Sequence, residues 1–136
     1  MKTVGITISI ANDGFYWVAC DDYPALVGGG KSPEEAIEEL KETLQMTKEF
    51  GKDKALCYPD WLDEDYEFSV RWNVRDLMEY YAGIITPSIL GRLSGINPKQ
   101  LWNYAHGVSK PRKAQIAKIE AGLHKLARDL SSIVLC

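Results

Sequence analysis

The stretch TPSILGRLSGINPKQLWNYAHGVSKP, residues 86–111, holds two helix starts close together. Thr86-Pro87 and Asn97-Pro98 each set a capping oxygen before a proline, which suits the first helical position because its missing N–H would have had no partner there. Ser94-Gly95-Ile96 lies between them, and Gly95 supplies the positive φ of a sharp turn. The spacing of Leu90, Ile96, Leu101 and Tyr104 gives both helices one shared apolar face. Lys99, Gln100 and Asn103 are then expected to point outward from the second helix. This is the pattern of a helix-turn-helix, whose second helix offers hydrogen-bonding side chains to a major groove. On turn chemistry alone, a plain helical hairpin inside a helical domain fits as well.

Residues 75–123 resemble the lambda-repressor and Cro class of helix-turn-helix domain, the XRE type. The likeness rests on Leu90-Gly91, Gly95-Ile96, Leu101, Tyr104, Gly107 and Lys110-Pro111. Two positions depart from that family's pattern. Ser94 replaces a large apolar residue, so Leu93 is expected to fill the space, and Pro87 replaces a polar side chain that commonly touches phosphate. The resemblance implies duplex DNA as a partner. Asn97, Lys99, Gln100 and Asn103 are the candidates for base edges, since Asn and Gln suit adenine and Lys suits guanine. Ser88, Arg92, Lys110, Arg112 and Lys113 are the candidates for phosphates. Trp102 is expected in a core or backbone-contact role, and His106 at the end of the reading helix.

Charge divides the chain. Residues 1–86 carry 8 basic and 17 acidic side chains, whereas residues 87–136 carry 8 basic and 2 acidic. A phosphate backbone would attract the second part and repel the first, so two modules with different partners are expected. The 46% hydrophobic content is enough for a real core and excludes a disordered chain. Cys20, Cys57 and Cys136 are odd in number and lack metal-ligand spacing, which fits reduced thiols in a soluble cytoplasmic protein. No apolar run is long enough to span a membrane, and no signal-peptide pattern opens the chain, so no membrane partner is expected.

In the acidic part, Val4, Ile6, Ile8 and Ile10 alternate with small or polar residues, the period of a half-buried strand. Ala11-Asn12-Asp13-Gly14 is a turn, and Phe15–Cys20 a second strand of the same hairpin. Ala25-Leu26-Val27 reads as a short third strand that runs into Gly28-Gly29-Gly30, taken as a flexible joint or bulge because no Walker or GxGxxG pattern surrounds it. Ser32-Pro33-Glu34-Glu35 opens a helix over 33–50, with Ala36, Ile37, Leu40, Leu44 and Phe50 as its apolar stripe. Residues 51–65 show no period. Tyr66, Phe68, Val70 and Trp72 form a late strand, completing the order β-β-β-α-β.

The segment DGFYWVACDDYPALVGGGKSPEEAIEELKETL, residues 13–44, resembles the HicB antitoxin family. The likeness lies in the Asp-Gly turn before an aromatic-rich strand, in Tyr23-Pro24 after an acidic pair, and in Pro33-Glu34-Glu35-Ala36 opening the helix. Ala25-Leu26 stands where that family usually has glycine and cysteine. The resemblance implies a partial ribonuclease-H-like sheet, often joined to a DNA-binding module, and a small basic ribonuclease toxin of the HicA kind as partner. Glu34, Glu38, Glu42 and Glu49 on the helix are the candidates for contacting the toxin.

The expected architecture is α+β: a small antiparallel β-β-β-α-β domain over 1–72, then an all-α helix-turn-helix domain over 73–136. In the latter, Asn73–Asp76 should start a helix reaching about Ala82, with Leu77 and Tyr81 inward. Pro111 should start a last helix that runs through about Ser132. Its Ile116, Ile119, Leu123, Leu126, Leu130 and Ile133 recur in steps of three and four, an a/d seam. The first three should close the core, leaving Leu126, Leu130 and Ile133 for a homodimer or higher oligomer, or for packing on the acidic module.

The function expected from these readings is that of an antitoxin that neutralises the toxin by occlusion and represses its own promoter, with no catalysis, cofactor or metal. Two alternatives stay open. One is a transcriptional regulator whose sheet domain senses a ligand or assembles the protein. The other is a metal-dependent nuclease built on Asp60, Asp63, Glu64, Asp65 and Glu67.

Overall fold

The computed structural model describes residues 1–54 and 57–136. Within them the chain is α+β and divides into two compact units, Met1–Asn73 and Val74–Cys136.

The first unit is a four-stranded sheet of order β3-β2-β1-β4 with one long helix on it. Strand β1, Lys2–Ile10, buries Val4, Ile6 and Ile8, the alternate residues its period of two assigns to one face. Strand β2, Tyr16–Cys20, returns antiparallel with Ile8 opposite Val18 and Ile6 opposite Cys20, which adds Val18 and Cys20 to the same face. The turn closes through Gly14, at φ 82°, and through the Phe15 N–H, which donates to Asp13 Oδ1 at 3.0 Å.

The three glycines correct the sequence reading. They are neither a joint nor a bulge: strand β3 is Val27–Gly30, with Gly28, Gly29 and Gly30 paired to Val18, Trp17 and Tyr16. Ala25 and Leu26 precede the strand. The reason is close packing on both faces. A Cβ on Gly30 would stand 2.5 Å from Glu35 Cβ, and one on Gly29 would meet the Phe15 and Trp17 rings at 2.7 and 2.8 Å.

Helix α1, Pro33–Lys54, runs a turn longer than its apolar pattern indicated. Its start is closed reciprocally: the Glu35 N–H donates to Ser32 Oγ at 3.1 Å, and the Lys31 N–H donates to Glu35 Oε2 at 2.9 Å. Ala36, Leu40 and Leu44 are fully buried on the sheet. Phe50, expected on that stripe, is exposed, and Gly51 is buried instead. A short 3-10 helix, Asp60–Asp63, then sets Leu62 into the core.

Strand β4, Tyr66–Trp72, pairs with β1 in parallel, Ile6 opposite Val70, so the sheet is mixed where an antiparallel one was expected. The pairing follows from connectivity. β3 already runs parallel to β1, and a helical crossover such as α1 delivers the next strand in the direction of the last.

The second unit has four helices: α2 Val74–Tyr80, α3 Pro87–Ser94, α4 Pro98–Ala105 and α5 Lys113–Ser131. Val74, Met78, Leu90, Ile96, Leu101, Tyr104 and Ile119 form its core. On α2 the buried residues are Val74, Asp76 and Met78; Leu77 is half-buried, and Tyr81 lies past the helix, exposed. No helix of the described residues is long and apolar enough to cross a membrane.

Candidate nucleic-acid interface

Both helices of the central motif start as their caps direct. The Ile89 N–H donates to Thr86 Oγ1 at 3.2 Å, and the Lys99 N–H donates to Asn97 Oδ1 at 2.9 Å. Gly95, at φ 76°, ends α3. Ser94 closes the turn with its hydroxyl, donating to the Leu90 carbonyl at 2.7 Å and accepting from the Ile96 N–H at 3.2 Å. That explains a polar residue at this position. Leu93 packs instead on α5, where a Cβ on Gly122 would stand 3.0 Å from Leu93 Cβ. Gly91 lets α4 approach α3, since a Cβ there would meet the Ile96 carbonyl oxygen and Pro98 Cγ at 3.0 Å.

With Leu101 and Tyr104 buried, the 3.6-residue turn aims Lys99, Asn103 and His106 away from the core. Lys99 and His106 are exposed and Asn103 is half-buried. Gln100 sits on the flank: it is half-buried, and its Nε2 donates to Ser109 Oγ at 3.3 Å. Asn97 spends its carbonyl oxygen on the cap. Trp102 is not core; it is 49% exposed and stacks on His106, ring centroids 3.9 Å apart and planes 20° from parallel.

Of the phosphate candidates, Ser88, Arg92, Lys110, Arg112 and Lys113 are all exposed. Lys110 and Arg112 line one cleft of about 590 Å³ together with Gln100, Gln115 and Lys118. Gln115 and Lys118 escaped the sequence reading. Their spacing of three on α5, one turn after Arg112, was the signal that would have found them. Arg75 and His106 line a separate cleft and were not assigned either.

The remaining candidates fall as follows. Glu34, Glu38, Glu42 and Glu49 are exposed on α1, with Lys41 Nζ 3.9 Å from Glu38 and Gln45 donating to Glu49 at 2.9 Å. On α5, Ile119 is buried and Leu123 half-buried, but Ile116 is 37% exposed, so the seam closes the core with fewer residues than expected. Leu126 is half-buried, and Leu130 is exposed. Ile133 lies beyond the end of the helix at Ser131, so it cannot continue the a/d stripe.

In the acidic loop, Asp63 is tied to its own unit. It accepts from the Tyr58 hydroxyl at 2.8 Å and has Lys52 and Lys48 at 3.6 and 3.7 Å. The Tyr58 hydrogen bond above all, then the two lysines, hold its carboxyl below the ordinary value, and the same bond raises the Tyr58 hydroxyl. No group of three metal-ligating side chains occurs among the described residues. Compared with models of known protein families, with curated proteins and with solved structures, the chain matches none of them.

Proposed function

We propose that this chain is a DNA-binding antitoxin with the division of labour of the HicB type. Val74–Cys136 binds operator DNA through α4, and Met1–Asn73 covers the RNA-binding surface of a small basic ribonuclease of the HicA kind. It acts by occlusion, not catalysis, and represses the promoter it shares with the toxin.

One observation carries the DNA half. A doubly capped helix pair aims Lys99 and Asn103 outward on α4, with exposed Arg92 before that helix in the chain and exposed Lys110, Arg112 and Lys113 after it. Cations so placed would hold phosphates while the helix tests base edges. The antitoxin half is supported by the exposed row Glu34, Glu38, Glu42 and Glu49 and by the likeness of residues 13–44 to HicB. An acidic row of this kind speeds encounter with a basic partner. The exposed Leu130 and half-buried Leu126 support a homodimer through α5.

The test has two arms. The full chain should bind duplex DNA from upstream of its own coding sequence, with affinity falling steeply as salt rises. Co-expression should relieve the toxicity of a small basic protein encoded in a neighbouring reading frame. DNA binding without any rescue would leave a transcriptional regulator; rescue without DNA binding would remove the repressor role.

A further inference from the structure

The outer end of α4 adjoins a cleft of about 470 Å³ that the proposed function leaves without a role. Arg75, Met78 and Glu79 of α2 line one side, and Trp102 and His106 line the other. The connection between α2 and α3 closes the end and contributes no titratable side chain. The Arg75 guanidinium packs over Gly107, so that a Cβ on that residue would stand 3.4 Å from Nη1. Gly107 has φ 72°, which disfavours a side chain for a second reason. Arg75 forms no ion pair among the described residues, although Glu79 lies one turn along the same helix.

His106 has one ring nitrogen against a backbone carbonyl. Its Nδ1 lies 2.9 Å from the Trp102 carbonyl oxygen, which can only accept, so Nδ1 carries the proton. In the neutral ring the lone pair is then on Nε2, which cannot donate to an anion. A second proton makes Nε2 a charged donor. The charged neighbours of His106 in the cleft are Glu79 and Arg75.

Resting on the DNA-binding reading above, we infer that this cleft seats a backbone phosphodiester of the bound duplex. It is held by Arg75 and by the doubly protonated His106, so that binding draws one proton from solvent onto Nε2. Glu79 works against the bound phosphate and keeps the seat weaker than its two cations would make it.

The test titrates the full chain onto a mixed-sequence DNA duplex at fixed low salt. Wild-type affinity is expected to be several-fold higher near pH 6 than near pH 8, because binding takes up a proton over that interval. His106→Gln should bind at the weaker level with no pH slope, and His106→Lys, permanently charged, at the tighter level with none. His124→Gln should keep the wild-type profile, which removes the other histidine as the cause. Arg75→Ala, checked for fold by circular dichroism, should bind more weakly at both pH values and lower the slope of log K on log salt by about one. Glu79→Gln should bind more tightly. A flat wild-type profile, a His106→Gln variant that keeps the slope, or a folded Arg75→Ala variant with unchanged salt dependence overturns the seat. If those outcomes appear while Arg112→Ala and Lys113→Ala still weaken binding, the seat fails alone. If the wild type binds no duplex, the DNA-binding reading fails with it.

Discussion

A Cβ built on Gly28 would stand 2.5 Å from the backbone nitrogen of Leu40, so strand β3 and helix α1 meet backbone to backbone. Neither element can yield easily: the strand is paired to β2, and the helix buries Ala36, Leu40 and Leu44 on the sheet. Gly28→Ala is therefore expected to destabilise the first unit by about 3 kcal/mol, the upper end for overpacking. Gly14→Ala, at φ 82° with open space around it, should cost only about 1 kcal/mol of backbone strain. Urea denaturation of the two variants checks the order. A milder Gly28→Ala would mean that α1 does not lie this close.

The thiols offer a second measurement. Burial first, then the charges of Asp21 and Asp22, push Cys20 from 9.0 up to about 11. Cys57 and Cys136 are exposed. Because the thiolate is the reactive form, native protein near neutral pH should take up a thiol reagent at Cys57 and Cys136 and not at Cys20, which should react only in denaturant. The raised value also has a sign for stability. The contribution of the protonated thiol is complete below pH 9.0 and is lost as pH rises through about 11. Mass spectrometry of the labelled protein checks the first statement, and alkaline denaturation of Cys20→Ala against wild type the second.

Asp63 and Tyr58 limit stability from opposite sides. The Asp63 carboxyl is lowered from 3.8, chiefly by the Tyr58 hydroxyl, so its contribution is present above that value and fades as pH falls below it. Tyr58 is raised from 10.0 by the same bond, so its contribution is present below that value and fades as pH climbs past it. In Tyr58→Phe the Asp63 carboxyl should titrate closer to the ordinary range, which carboxyl chemical shifts would follow directly. An unchanged titration would show that Lys52 and Lys48 alone set it.

Local chemistry carried most of what was legible in the sequence. The caps at Ser32, Thr86 and Asn97, the left-handed Gly95 and the alternation of Val4, Ile6 and Ile8 each depend on neighbours a few residues away. What escaped depends on distant partners. Gly28-Gly29-Gly30 look permissive until a helix is laid across one face and two aromatic rings across the other. The parallel direction of β4 is a property of the crossover and not of its own residues. At the candidate interface, Gln100 reads as an outward polar residue, but Ser109, after the end of the helix, draws it to the flank. Trp102 reads as a core or backbone-contact residue, and its place on the helix away from Leu101 and Tyr104 removes the first of these.

Assembly can be tested at Leu130. Leu126 is half-buried and Leu130 is 56% exposed, leaving an apolar strip on α5 worth about 25 cal/mol per Å² when covered. Since Ile133 lies past the helix, the strip is shorter than a heptad seam through residue 133 would be, and Leu130 is its centre of weight. Leu130→Glu is expected to give monomers that bind a single half-site weakly, whereas the dimer should prefer an inverted repeat with half-sites about one helical turn apart. Sedimentation decides it: an unchanged mass with intact operator affinity would put the dimer contact elsewhere.

Helix α4 yields the sharpest comparison, because two polar residues of similar chemistry stand in different places on it. Asn103 lies on the outer side of α4 with Lys99, one turn apart, and neither side chain is tied to a partner as Gln100 is to Ser109. Gln100 must first give up its bond to Ser109. Asn103→Ala and Lys99→Ala are therefore expected to relax preference at single base pairs by about 1–3 kcal/mol each. Gln100→Ala should cost affinity with little change in preference, since it loosens the loop that carries Lys110 and Arg112. Arg112→Ala and Lys113→Ala should weaken all sequences alike and flatten the salt dependence. Selection from a randomised duplex pool separates these outcomes. A Gln100→Ala protein that loses one base preference while Asn103→Ala keeps them all would mean that α4 meets the groove with its flank and not with its outer face.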